Sequence, residues 1–88
     1  MALIVTFLVP GDTGRDRVLG TATWDGRQLM IEGNKESVER CLSGPVTVWE
    51  EGQEEPRVLT WEKDQEAFLR ALPMKFTSAY LRAQVEES

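Results

Sequence analysis

Between Gly20 and Gly33 the chain reads GTATWDGRQLMIEG, two runs of alternating character that meet at Asp25-Gly26. Asp-Gly between such runs is the strongest short-range hairpin signal, because a type I′ turn needs positive φ at both central residues and these residue types tolerate it. A two-residue loop there sets Trp24 opposite Arg27, Ala22 opposite Leu29 and Gly20 opposite Ile31 on one face. The other face pairs Thr23 with Gln28, Thr21 with Met30 and Leu19 with Glu32. The first face is apolar and the second mainly polar, as expected of a sheet with one side on a core. Slipping the register by one residue would undo that sorting. In this register Arg27 can also lay its guanidinium on the Trp24 indole.

The remaining elements follow from similar local signals. From Ala2 to Val9 both faces are apolar, with Leu3, Val5, Phe7 and Val9 on one and Ala2, Ile4, Thr6 and Leu8 on the other. Such a strand is expected at the centre of its sheet and covered on both sides. PGDTGRDR, residues 10–17, is a turn-forming connector. Asn34 can cap a short helix over 35–43, with Val38, Cys41 and Leu42 as the buried stripe, Glu36 and Arg40 as an i, i+4 pair, and Gly44-Pro45 as its stop.

A second hairpin is predicted from Val46–Glu50 and Arg57–Trp61 around the acidic tip EGQEEP. With Glu50 facing Arg57, Val46, Val48, Leu59 and Trp61 share a core face, while Thr47, Trp49, Val58 and Thr60 share the opposite one. Asp64 can cap a helix over 65–72, with the stripe Phe68, Leu69 and Leu72 and the pair Glu66 and Arg70; Pro73 is expected to end it. The tail over 76–85 alternates as a strand, separating Ala79, Leu81, Ala83 and Val85 from Tyr80, Arg82, Gln84 and Glu86. A helix there would end in Glu86 and Glu87, the wrong charge for its C-terminus, so a strand is expected. The order hairpin, helix, hairpin, helix is not matched by any sequence repeat.

The fold class that results is α+β: a mainly antiparallel sheet of five or six strands built on two hairpins, with short helices at 35–43 and 65–72. Eighty-eight residues predict one domain, 1–88, large enough for a core but not for a deep internal pocket. The apolar ALIVTFLV run stops at Pro10, too short to span a membrane, and has neither a basic leading region nor a cleavage site. A lone Cys41 cannot form an internal disulfide, which points to a reducing, cytoplasmic compartment.

Charge narrows the function classes. The net charge is −5, with five basic and six acidic side chains in residues 1–44 and five against nine in residues 45–88. Nucleic-acid binding relies on Lys and Arg to release phosphate counterions, so no nucleic-acid partner is expected, nor a membrane one. The chain has no histidine, the commonest metal ligand and the usual base near neutral pH. Glu50, Glu51, Glu54 and Glu55 could in principle hold a hard cation, but they lack EF-hand spacing and read more simply as a solvated tip. Cys41, on an apolar stripe in the last turn of its helix, reads as packing rather than as a nucleophile. GDTGRD with Arg15 and Arg17 has glycines for an anion loop, but neither the Lys-Ser/Thr pair nor the helix of a P-loop follows it.

No catalytic, cofactor-binding or metal residue emerges, and no cofactor is expected. A carboxylate pair of glycosidase type would need a spacing that the sequence does not show. Trp24 and Trp61 fall on core faces. Trp49 falls on the other face with Thr47, Val58 and Thr60, and these four residues form the candidate interaction surface, although cover of the indole by a helix or by the C-terminal segment is the commoner fate of such a residue and the one expected. The expected function is a non-enzymatic protein-interaction module, with self-association into a homodimer through an edge strand as one form of it. The alternative is a small-ligand or carbohydrate-binding domain that uses the Trp49 surface.

Overall fold

β1 (Leu3–Val9) lies between two neighbours, as its apolar composition requires. In the computed structural model, which describes residues 2–88, it is followed by β2 (Arg17–Trp24), β3 (Leu29–Gly33), α1 (Lys35–Ser43), β4 (Val46–Val48), β5 (Arg57–Leu59), α2 (Gln65–Lys75) and β6 (Arg82–Glu87). The six strands pair antiparallel and divide into a four-stranded sheet of order β3-β2-β1-β6 and a separate β4-β5 hairpin. The architecture is α+β, built on the two expected hairpins.

Leu3, Val5 and Phe7 of β1 are buried in one core with Val38, Cys41 and Leu42 of α1 and Phe68, Leu69 and Leu72 of α2. The same core takes in Val46 and Leu59, so the small hairpin and the larger sheet share it. Both helices therefore sit on one side of the sheet. The other side of β1, with Ile4 and Thr6, is only half-buried, which corrects the expectation of cover on both sides. Leu8 is buried there but stands apart from the core cluster. Leu19 enters β2 as an extra residue, since Phe7 pairs with Gly20 and Leu8 with Val18; the bulge turns Leu19 toward the core.

The first hairpin differs from expectation in its turn. Trp24 pairs with Leu29, Ala22 with Ile31 and Gly20 with Gly33, which centres the two-residue loop on Gly26-Arg27 rather than on Asp25-Gly26. Gly26 has φ +99° and, among the described residues, no non-glycine residue has positive φ, a sign pattern of type II′ rather than I′. The cause lies in the Asp25 carboxylate, which accepts the backbone N–H groups of Arg27 and Gln28, both at 2.7 Å. Partners move by two residues, so the face assignment survives. Arg27 no longer faces Trp24; that indole packs edge-on against Trp61, with ring centroids 5.0 Å apart.

Both helices begin as their caps dictate. The Asn34 side chain accepts from Ser37 N–H at 3.2 Å and that of Asp64 from Ala67 N–H at 3.0 Å. The pairs Glu36–Arg40 and Glu66–Arg70 form at 3.2 and 3.1 Å. Gly44 is extended, not left-handed, because Pro45 follows it. α2 runs on through Pro73 to Lys75, three residues past the expected end. Pro73 removes one helical donor, but the Phe76 N–H reaches the Leu72 carbonyl at 3.0 Å and Lys75 Nζ is tied to the Pro45 carbonyl at 3.0 Å. Those bonds, with Leu72 fully buried, outweigh the local bias.

The tail forms a strand that begins at Arg82, later than the expected 76. The Ser78 hydroxyl accepts from Tyr80 and Leu81 N–H groups, which makes a turn of the intervening residues. β6 then pairs with β1 from Arg82 opposite Leu8 to Glu87 opposite Leu3.

Candidate functional site

The β4-β5 hairpin pairs Val46 with Leu59, Thr47 with Val58 and Val48 with Arg57. This register also differs from the expected one by two residues, so Glu50 does not face Arg57 across the ladder. Their side chains still meet diagonally at 3.8 Å. The sorting of faces holds. Val46 and Leu59 are buried and Trp61 is half-buried, whereas Thr47 is exposed, Val58 is 51% exposed and Trp49 is 67% exposed.

The four candidate residues are not gathered into one spot. Thr47 and Val58 lie directly opposite each other. Trp49 stands one residue past β4, toward the acidic tip, and Thr60 stands one residue past β5, at the other end. They form a strip spanning four residue steps, roughly 13 Å at the rise of an extended chain. No helix or tail segment buries Trp49, which corrects the expectation of cover. The other two indoles have packing roles: Trp61 lies edge-on to Trp24 and, at 6.4 Å, to Phe68.

At the Thr60 end the strip opens into a groove of about 550 Å³. One wall is the α1-β4 connection, Leu42 to Pro45; the other is Val58, Thr60, Trp61 and Glu62. Three other hollows are about 200 Å³ or smaller. Lys75 braces the first wall through its bond to the Pro45 carbonyl. The sequence signals the strip through strand alternation but not the groove, because its two walls meet only through tertiary packing. Pro45 and the outer side of Trp61 are therefore the site residues that sequence reasoning misses.

Carboxylates stand at both ends of the strip. Glu50, Glu51, Glu54 and Glu55 surround the tip and are exposed, and exposed Glu62 stands at the groove. Of the three nearby cations, Arg57 is paired with Glu50, Lys75 is held by Pro45, and exposed Lys63 follows Glu62 with its backbone N–H on the Thr60 carbonyl. Among the described residues no three Cys, Asp or Glu side chains are placed to share a metal ion. Burial pushes the Cys41 thiol pKa up, although Lys75 and Arg40 pull against it, so the sulfur stays protonated near neutral pH. Among the described residues no helix is long and apolar enough to cross a membrane. Fold and site together define a small α+β protein with a solvent-facing aromatic strip beside a groove. No protein-family model, curated protein or solved structure matches the chain.

Proposed function

We propose that the protein is a non-enzymatic interaction module that engages a protein partner along the Thr47, Trp49, Val58 and Thr60 strip. The carrying observation is the exposure of Trp49 and Val58 on a hairpin whose opposite face packs on the core. An exposed indole beside an exposed valine is costly to leave in water, and anchors of this kind dominate protein interfaces. The test is selection of random 12-residue peptides displayed on phage against the wild-type protein and Trp49→Ala. Binders that lose about tenfold or more in affinity on Trp49→Ala support the reading, a loss of the size expected for one interface anchor. A selection yielding only binders indifferent to Trp49 contradicts it.

Self-association through an edge strand is the homodimeric form of this reading. Of the two edges of the larger sheet, β6 carries Arg82, Glu86 and Glu87, charges that guard an edge, whereas β3 carries Glu32 alone. β3 is therefore the edge that this form of the reading would use. Sedimentation equilibrium tests it, and a single monomeric mass at all concentrations removes it.

The groove favours a second reading, a small ligand held against Trp61. Its volume lies in the range of ligand pockets. Indole fluorescence during titration with a library of sugars and small organic acids tests it. A response that survives Trp49→Ala supports the groove, and silence across the library contradicts it.

A further inference from the structure

The apolar strip has an occupant that its electrostatics select. We infer that it takes an extended, basic segment of another protein, with a Lys or Arg two positions to either side of an apolar residue. This rests on the interaction-module reading above and adds the chemistry of the partner.

Position and charge carry the inference. Along an extended chain, alternate side chains point to the same side, about 6.6 Å apart. Trp49 and Thr60 lie two residue steps on either side of the Thr47–Val58 pair. An apolar side chain seated on Val58 thus places the residues two before and two after it over Trp49 and at the mouth of the groove. At the first position a cation meets an indole 67% exposed, next to the acidic tip that carries Glu50, Glu51, Glu54 and Glu55. At the second it meets Glu62. Carboxylates stand at both ends of the strip; of the cations near it, Arg57 is engaged by Glu50 and Lys75 by Pro45, while Lys63, next to Glu62, does not line the groove. A free segment with acidic flanks would meet like charge at each end.

A second copy is the weaker occupant. Docked strip to strip, it would bring the same carboxylates to the same ends, on a chain that already carries −5.

The test uses the intact protein and the displayed random 12-residue peptides, followed by titration of synthetic versions of the enriched ones. Enriched peptides should carry the basic, apolar, basic pattern at spacing two. Their affinity should fall about tenfold or more in Trp49→Ala and between 0.05 and about 0.5 M salt, as the screening length shrinks from well over 10 Å to a few ångströms. The combined variant E50Q/E51Q/E54Q/E55Q, and separately Glu62→Gln, should weaken binding without changing the circular dichroism spectrum. Trp49-dependent binders that lack basic residues, or that ignore salt and the Glu→Gln changes, overturn this inference and leave the interaction reading standing. Absence of any Trp49-dependent binder overturns both. Concentration-dependent dimerisation abolished by Trp49→Ala also overturns it, since a second copy would then occupy the strip.

Discussion

At the residue scale, Gly20 decides how closely α1 can approach the sheet. A Cβ added there would lie 2.6 Å from Val38 Cγ2 and 2.6 Å from the Glu32 carbonyl. Its partner across the ladder, Gly33, has φ +90° and leaves no room either, since a Cβ would come within 2.7 Å of Gly20 Cα. Gly20→Ala should lower unfolding free energy in urea by about 1–3 kcal/mol, the usual cost of overpacking. Asp25 gives a second prediction. The Gln28 and Arg27 N–H groups hold its carboxyl pKa below the ordinary range. A group with a lowered folded-state pKa contributes stability that is complete above its unfolded pKa, about 4, and fades as pH falls through the folded value. Asp25→Asn should therefore melt lower than wild type at pH 5, with the gap closing by pH 2; a gap that widens in acid would contradict the capped turn.

At the element scale, the helix running through Pro73 offers the sharpest test. Pro73→Ala restores a donor for the Leu69 carbonyl and removes the ring's clash with that turn, while loosening the unfolded chain. The net gain should be about 1–2 kcal/mol in urea unfolding, and a loss would show that the proline is required by its packing. The same scale shows what the sequence made legible. Caps at Asn34 and Asp64, the stripes of both helices and the i, i+4 pairs are written in adjacent residues, and all are found in place. Both hairpin registers are displaced by two residues, yet the faces hold apart from Leu19, which the β2 bulge turns to the core, because side-chain orientation repeats every second residue. The register itself depended on which atoms bond in the turn, and the Asp25 side chain competes there with backbone groups. The end of α2 and the start of β6 depended on Leu72 burial and the Ser78 turn, which no window of sequence displays.

At the scale of the whole molecule, one core serves two sheets and both helices, and it leaves two surfaces unequal in character. The open side of the larger sheet is lined at its centre by Ile4, Thr6 and Leu8, of which Leu8 is already buried. The β4-β5 hairpin instead turns a whole indole outward. Alternation put that indole on the face away from the core but did not reveal that nothing covers it, and the groove beside it likewise belongs to packing, between α1's exit and β5.

The division of labour between Trp49 and Trp61 is the centre of this account, and urea unfolding of the two alanine variants tests it most directly. Trp61 packs on Trp24 and Phe68, so Trp61→Ala should lower unfolding free energy by at least about 2 kcal/mol, toward the cost of losing a core aromatic. Trp49→Ala should change it by no more than about 0.5 kcal/mol, as at an ordinary surface position. A Trp49→Ala protein destabilised as much as Trp61→Ala would mean that the exposed indole serves the fold, and the interaction strip would lose its anchor.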